Sequence, residues 1–512
     1  MESTGWSYRK KVLILIAAIA IFRLIIAFTV QLGNDESYYW LYSQHLKLNY
    51  FDHPPMVAFL IRATTLNLWL QNPGFIRLGS VLSCCAATWF MYKCVAQLSN
   101  ERAGFFAACL YNASFYAGVT AGIFIMPDSS EMAFWALSLY ALVLITQQEN
   151  KWKYWLLFGI AAGLCIMSKL HGLYLWVGVG CYTLLYKRKW LANIKLYTAL
   201  AISIIICLPI LFWNIKYNFI TYKFDGARID IEGATHNWHY LLNELGAQFF
   251  INNPVNVVFI VIGLFALRKR FLPRLPALTI FNFTGILLAL TLIIISIYKQ
   301  TLPHWSGPAY ISLLPVAAIY LDKRTKNNSP FFVRLSLSLH VFVLITISFI
   351  IYFYPGNFGV PSGKYVGLND ISLDMYGWKQ AGEKFDSIYT SYRQQNLIPA
   401  NTPVICYKWW GAHIEYHFCR PLNIKMIGLG SMMDLHEYMW MNNLRKDSVN
   451  MQQAFCIIPS DEFYNVAKAY KNYYAHVDSV TSIQLFRGNK PAHNFYVYHL
   501  SGFKGNVPVI NK

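Results

Sequence analysis

Long apolar runs are the feature that most constrains how this chain folds. They lie near 11–32, 75–97, 102–124, 127–146, 153–169, 172–186, 195–213, 254–268, 276–298, 305–321 and 332–354. A helix needs roughly 20 apolar residues to cross a hydrocarbon core ~30 Å thick, and fewer when other helices surround it. The mean hydropathy of +0.35 over 512 residues, with only 13% charged, exceeds what a soluble domain can bury. The sequence therefore predicts a polytopic α-helical membrane protein with about eleven transmembrane helices.

Charge is distributed unequally between the connections. The chain carries a net charge of +19, and its basic residues gather in alternate connections and before the first run: Arg9, Lys10 and Lys11; Lys187, Arg188, Lys189 and Lys195; Arg268, Lys269, Arg270 and Arg274; Lys323, Arg324, Lys326 and Arg334. Cytoplasmic loops are enriched in Lys and Arg, so this pattern predicts a cytoplasmic N-terminus and an outer C-terminus in the inner (cytoplasmic) membrane. The same pattern explains the basic charge without a nucleic-acid partner. Since no cleavage site interrupts the first run, we expect an uncleaved span.

Two domains are predicted. Residues 1–354 form the membrane domain, with long outer loops at 33–74 and 214–253, and residues 355–512 form a small extracytoplasmic α/β domain in which strand-like and helical runs alternate.

No CxxC pair occurs, so a cysteine zinc site is not expected. If the tail faces an oxidising compartment, Cys406 and Cys419 are candidates for a disulfide that leaves Cys456 free.

The segment NDESYYWLYSQHLKLNYFDHPP, residues 34–55, is the richest in chemical groups. Asp35 and Glu36 follow the first span directly. A carboxylate there can take a proton from an attacking hydroxyl, or the pair can hold a divalent cation. Acids that simply solvate a loop are the alternative. His53, beside Asp52 and a double proline, is a further binding candidate.

Other candidates lie at outer helix ends. Asp128 follows Met126-Pro127 and is a second candidate acid, although an acid is also favoured at any helix start. Lys169 sits in a short outer turn against the charge bias, which indicates an anionic ligand or interfacial snorkelling. His304 caps another outer turn. Arg23 lies inside the first span, where a charge indicates a functional site or a pair with a neighbouring helix.

These polar groups gather at one face of the membrane. Transporters commonly place such groups near the midplane, on interrupted helices. A site at one face instead suits a ligand with a membrane-embedded tail and a head group at the interface.

Several motifs together resemble a known family. They are DESYYWLYSQHLKLNYFDHPPMVAFLIR, MPDSSEMAFWAL, GLCIMSKLHGLYL and LPHWSGPAYISLLP, with DMYGWKQAGEKF and YKWWGAHIEYHFCRP in the tail. They are similar to bacterial C-type membrane glycosyltransferases related to dolichyl-phosphate-mannose–protein mannosyltransferases and lipid A aminoarabinose transferases. The resemblance implies a polyprenyl-phosphate-linked sugar as donor, inversion at the anomeric carbon and an acceptor glycolipid, glycan or protein on the outer side.

The resemblance also implies roles for individual residues. Asp35 corresponds to the family's first-loop acid, Asp128 to its second outer acid and Lys169 to the short-loop base beside the donor, while His53 and His304 lie in matching motifs. The sugar, the acceptor and any metal requirement stay open. Two other functions also stay open: a transporter or flippase of lipid-linked glycans, and a glycan polymerase or ligase that uses lipid-diphosphate donors.

Overall fold

Fifteen α-helices lie among the described residues before position 354. The computed structural model describes residues 6–325 and 330–510, so Lys326 lies outside the described residues. The helices are α1 Tyr8–Thr29, α2 Asn34–Gln44, α3 Met56–Thr64, α4 Pro73–Leu98, α5 Glu101–Ala113, α6 Pro127–Gln147, α7 Trp152–Ser168, α8 Leu173–Leu185, α9 Ile194–Lys216, α10 Ile220–Ile229, α11 Trp238–Ile251, α12 Pro254–Arg268, α13 Pro276–Ser296, α14 Gly307–Thr325 and α15 Phe331–Phe353.

Six of these helices are long and apolar enough to cross a membrane: α1, α4, α6, α9, α13 and α15. A seventh span is possible if α11 and α12, which meet at a bend of 95°, cross together. The chain is thus a multi-pass helical membrane protein. Each predicted run falls on a helix, but the run at 102–124 is divided, because Ser114 is extended and a π-helical turn, Tyr116–Thr120, follows. The count of eleven crossings stays a prediction.

The described chain divides into two compact units. The first comprises Met1–Phe28 and Leu46–Leu344, and the second comprises Thr29–His45 and Ile345–Lys512. Residues 29–45, which include α2, therefore pack with the C-terminal part of the chain. The predicted domain boundary at Pro355 stays a prediction.

Small residues allow close helix packing in the first unit. Gly159 and Gly163 lie one turn apart on α7 and face α9. A Cβ atom added to Gly159 would come within 2.6 Å of the Ala199 carbonyl oxygen, and one on Gly163 within 3.0 Å of the Ser203 Cα. Spacing of this kind lets two backbones approach in a membrane, where helices have no hydrophobic driving force to associate. The pair α7–α9 therefore depends on both glycines.

The second unit contains a five-stranded mixed sheet in the order β2-β1-β3-β5-β4. The strands are β1 Val404–Cys406, β2 Met426–Gly428, β3 Gln453–Pro459, β4 Tyr474–Arg487 and β5 Lys490–Phe503. The β1 strand pairs in parallel with β2 and β3, whereas β5 is antiparallel to β3 and β4. The remaining helices are α16 Trp378–Gln394, α17 Gly411–Ile414, α18 Arg420–Leu422, α19 Met432–Leu435, α20 Tyr438–Arg445 and α21 Val466–Tyr470.

The expected disulfide between Cys406 and Cys419 is not present. Both thiols are free and buried, as is that of Cys456. Cys406 ends β1, while Cys419 ends a π-helical turn, and burial raises the pKa of both thiols well above the ordinary value. A buried thiol of this kind acts as a small apolar side chain.

Candidate functional site

A cavity of about 200 Å³ lies in the first unit. Its wall has two kinds of residue. The polar residues are Asp52, His53, Lys169, His171, Asp225 and Arg228, and the others are Pro54, Leu170, Tyr174, Ile229, Leu288, Thr291, Leu292, Ile295 and Trp305. The cavity therefore combines several charged or titratable groups with an extended apolar surface.

The apolar surface comes largely from α13. Leu288, Thr291, Leu292 and Ile295 recur at the spacing of one helical face. The same helix is one of the six apolar enough to cross a membrane. A hydrocarbon chain can therefore lie along this face while a polar head group contacts the charged part of the wall.

A buried ion pair stands beside the cavity. Lys169 Nζ donates to both carboxylate oxygens of Asp128, at 2.9 and 2.8 Å, and the hydroxyl of Tyr116 donates to the same carboxylate at 2.9 Å. Asp128 is 1% exposed and Lys169 6% exposed. Asp128 lies in the first turn of α6, which begins at Pro127, and Lys169 follows the end of α7. The sequence left two explanations for a lysine on the outer side, an anionic ligand or snorkelling. In the structure, Asp128 is a partner of this lysine.

Two of the predicted histidines lie near this pair. His53 lines the cavity; burial lowers its pKa from the ordinary value, and the neighbouring Asp52 opposes that shift. His304 lies in the short 3-10 turn Pro303–Ser306. Burial, with a smaller contribution from the Lys169 charge, lowers the pKa of His304 to about 4. Both imidazoles are therefore neutral near pH 7.

Helix α10 supplies two polar wall residues for which the sequence predicted no site role. Asp225 and Arg228 lie three residues apart, on one face of the helix. Burial raises the pKa of Asp225 to about 7, the Asp52 charge adds to this shift, and Arg228 and Lys169 oppose it. Arg228 also lies over the Trp305 ring, 5.0 Å from its centroid. Arg228 could have been noticed in the sequence, because it is a basic residue in a predicted outer loop, as Lys169 is.

The structure does not bring Arg23 to this cavity. Its guanidinium is buried among α4 and the π-helical turn, where Nε donates to the Gly118 carbonyl at 3.2 Å and Nη1 to Cys84 Sγ at 2.9 Å. These contacts fit the alternative that this intramembrane charge pairs with neighbouring segments.

Asp35 and Glu36 lie in the second unit, in the first turn of α2. Asp35 is exposed and Glu36 is buried. The Gly33 backbone N–H donates to Glu36 Oε2 at 3.0 Å, so Glu36 stabilises the start of the helix. In the described parts of the chain, no group of three or more His, Cys, Asp or Glu side chains is placed to hold a metal ion.

Residues of the C-terminal segment hold the start of α2. The Asn34 backbone N–H donates to both oxygens of Asp374, at 3.1 and 3.3 Å, and the Asn34 side-chain oxygen lies 2.8 Å from His413 Nδ1. His413 in turn stacks on Trp378 at 3.6 Å. Burial raises the pKa of Asp374 to about 8, and the charges of nearby acids, Asp35 among them, contribute in the same direction. No pattern in the sequence predicted this role for Asp374.

Comparisons with known proteins agree with this architecture. The family model described as dolichyl-phosphate-mannose-protein mannosyltransferase matches residues 52–213. The lipid A galacturonosyltransferase RgtD of Rhizobium johnstonii is 25% identical over 419 residues, which are 76% of this chain and 83% of the relative. The crystal structure of ArnT from Cupriavidus metallidurans in the apo state matches with a TM-score of 0.65 at 14% identity, over 96% of this chain and 98% of that one.

The chain has the fold of the C-type membrane glycosyltransferases. The predicted resemblance to bacterial proteins of this type is confirmed. ArnT bound to undecaprenyl phosphate matches equally well, with a TM-score of 0.64 over 95% of this chain and 97% of that one, at 14% identity. In this chain, residues of α8, α10 and α13 line the cavity together with the segments 52–54 and 169–171 and with Trp305.

Proposed function

We propose that this protein is an inverting glycosyltransferase that moves a sugar from a polyprenyl-phosphate donor to an acceptor hydroxyl or phosphate. The observation that carries the proposal is the cavity, where Lys169 and Arg228 stand beside the apolar face of α13. A polyprenyl-phosphate sugar has the matching chemistry, since it joins an anionic phosphate to a long hydrocarbon. The names of RgtD and of the ArnT complex support this donor class and favour a glycolipid over a glycan or a protein as acceptor.

In the proposed reaction, the acceptor oxygen attacks the anomeric carbon from the face opposite the phosphate. The bond between that carbon and the phosphate oxygen breaks, and the electron pair leaves with the polyprenyl phosphate. Lys169 and Arg228 stabilise the negative charge that develops on this leaving group, an effect that is strong where water is excluded. His53, Asp52 and Asp225 complete the polar wall around the head group.

Asp35 is the proposed general base. An acceptor hydroxyl is a poor nucleophile near neutral pH, so a carboxylate that accepts its proton accelerates the attack. Asp35 is exposed in the first turn of α2, whereas Asp128 is bound to Lys169 and Tyr116. We therefore assign Asp128 to the support of Lys169, and Glu36 to the start of α2.

The proposed location is the inner membrane, with the N-terminus in the cytoplasm and residues 355–512 outside. The basic loops carry this proposal. Reporter fusions at Lys189 and Gly411 should report opposite compartments. The same compartment for both would overturn the orientation.

The direct test incubates the purified protein with a polyprenyl-monophosphate sugar and a candidate glycolipid acceptor, without any nucleotide sugar. We expect release of the polyprenyl phosphate and a mass increase of one sugar on the acceptor. Movement of the intact donor across a vesicle membrane without any release would instead establish a transporter. Consumption of lipid-diphosphate oligosaccharides alone would establish a polymerase or ligase.

A further inference from the structure

His171 lies in the same short turn as Lys169 but has no part in the mechanism described above. It lines the cavity, and its ring stands edge-on to Trp305 at 6.4 Å. The turn that carries it is tightly packed: a Cβ atom added to Gly172 would come within 2.7 Å of the Ile166 backbone nitrogen. His171 therefore has little freedom to leave the cavity wall.

Behind His171 lies a carboxylate without an ordinary partner. Glu131 is 0% exposed, one turn after Asp128 on α6. Its carboxylate oxygens accept no hydrogen bond of ordinary length and angle from a described residue, and the nearby Tyr116 hydroxyl donates to Asp128. Glu131 Oε1 lies 3.6 Å from His171 Nδ1, which also lacks a hydrogen bond. Burying a carboxylate is costly unless a polar group compensates it. A contraction of a few tenths of an ångström would join the two groups.

This arrangement determines which imidazole nitrogen carries a proton. If the pair is neutral, the protonated carboxyl group donates to Nδ1, and the imidazole proton is on Nε2. If the pair is ionic, the imidazolium carries protons on both nitrogens. In both states Nδ1 is engaged by Glu131 and Nε2 carries a hydrogen. Only an ionised Glu131 beside a neutral imidazole would place the single ring proton on Nδ1, and the full burial of this carboxylate disfavours that state. As long as Glu131 and His171 share that proton, the imidazole offers a hydrogen-bond donor to the cavity, where Lys169, Asp128, His53 and His304 are the titratable groups nearby.

We propose that His171, oriented by Glu131, donates a hydrogen bond from Nε2 to the phosphate of the lipid-linked donor. Glu131 acts as a positioning residue and does not touch the ligand. The inference rests on the proposed function, because it takes the donor phosphate to be the anion beside Lys169 and Arg228. His171 then supplies a third N–H group on that anion, and its hydrogen bond strengthens as charge builds on the leaving phosphate.

The test measures binding of undecaprenyl monophosphate to the purified protein. Replacing His171 with Leu should weaken binding about 10- to 100-fold, the range for a lost hydrogen bond to a charged group. His171→Gln places an amide N–H near the position of Nε2 and should stay within about threefold of the wild type. His340→Leu is the control: it removes another imidazole, a buried one that stacks on Phe115 away from the cavity, and should leave binding unchanged.

A combined variant isolates the role of Glu131. Glu131→Leu alone should weaken binding about as much as His171→Leu. In the His171→Gln protein, which has no imidazole to orient, Glu131→Leu should have no further effect. An additional loss there, beyond about threefold, would show that Glu131 acts through packing and would overturn its positioning role.

Two outcomes separate this inference from the proposed function. If the wild type binds undecaprenyl monophosphate and His171→Leu binds it equally well, the inference fails and the proposed function stands. If the wild type neither binds the lipid nor transfers a sugar, the proposed function fails. Should His171→Leu not fold, His171→Gln is compared with His171→Asn, whose amide lies near Nδ1 instead. Equal binding by these two variants would overturn the inference.

Discussion

Each unit holds an acid whose charge is compensated in a different way: Asp128 is buried in the first unit, and Asp374 is half-buried in the second. In the first unit, Asp128 meets the ammonium group of Lys169 at 2.8 Å and the Tyr116 hydroxyl. In the second unit, Asp374 lies near other acids and accepts two hydrogen bonds from one backbone N–H, and its pKa is raised to about 8. Asp128 is therefore an ionised group with a fixed partner, whereas Asp374 changes its charge near neutral pH. The proposed base, Asp35, lies in the second unit, and its charge is one of those that act on Asp374.

The largest effect is expected from Asp35→Asn. The substitution preserves the shape of the side chain and removes the proposed base, so transfer should fall roughly 10²–10⁴-fold while binding of the donor stays near normal. Single-turnover transfer with saturating donor measures it. Glu36→Gln, one residue away, is the matched control and should be milder, because an amide oxygen can still accept from Gly33. Near-normal turnover in Asp35→Asn would show that another residue is the base, and Asp128 would then be tested.

The next effect concerns the buried pair of the first unit. Removing one partner of a buried ion pair commonly costs about 3–5 kcal/mol, because the other charge is left uncompensated. Lys169→Met should weaken donor binding, because it removes a cation from the cavity wall. With Asp128 bound to Lys169 at both oxygens, we expect Lys169→Met to lower the unfolding temperature as well.

A double variant sharpens this result. Asp128→Asn combined with Lys169→Met removes both charges and should recover much of the lost stability, without recovering donor binding. Thermal unfolding in detergent and a lipid-phosphate binding assay report the two properties separately. If Lys169→Met unfolds at the wild-type temperature, the ion pair contributes little to folding.

A smaller effect concerns the pH dependence of stability in the second unit. The folded pKa of Asp374, about 8, exceeds its ordinary value of 3.8. Between these values the folded state binds more protons than the unfolded state, so this residue makes stability fall as the pH rises from about 4 towards 8. Asp374→Asn should remove that part of the slope, measured as the unfolding midpoint at several pH values. A slope equal to that of the wild type would contradict the raised pKa.

The smallest effect concerns Asp225 in the cavity. Its pKa of about 7 means that it gains negative charge as the pH passes through neutrality. Binding of a sugar phosphodiester donor, whose own charge is constant there, should weaken about three- to tenfold between roughly pH 6 and pH 8, because like charges repel in a site of low dielectric. Asp225→Asn should bind with little pH dependence. A wild-type affinity that does not change between these pH values would contradict the raised pKa of Asp225.

Much of the helical architecture could be predicted because lipid imposes a simple rule on the sequence. A run of apolar residues can be recognised without knowing its tertiary contacts, and each predicted run falls on a helix. The division after Ser114 was not predictable, since the apolar composition continues through it. The short strand Met426–Gly428 was also missed, because three residues give no alternating pattern.

Prediction of the site was less complete. Lys169 and His53 could be found because their surroundings in the sequence were unusual, and both line the cavity. Arg228 and Asp225 lie on a helix whose packing decides which residues face the cavity, and that choice is made by tertiary contacts. Asp374 is 340 residues from Asn34, so no local pattern relates them. The Lys169–Asp128 pair joins two helix ends in the same way.

The division of the chain into units has a consequence for how the protein is made. Residues 29–45 leave the ribosome early, but the partners they pack against, 345–512, are separated from them by roughly 300 residues. At about 5–20 residues per second, translation needs about 15–60 s to reach the first of those partners and about 25–90 s to complete them. During that interval the side chains of Tyr38, Tyr39 and Trp40, which are buried in the finished protein, have no completed unit to cover them. Assembly of the second unit therefore waits until residues 345–512 have been made, and a chain that stops before them displays this aromatic segment to the quality-control machinery of the cell.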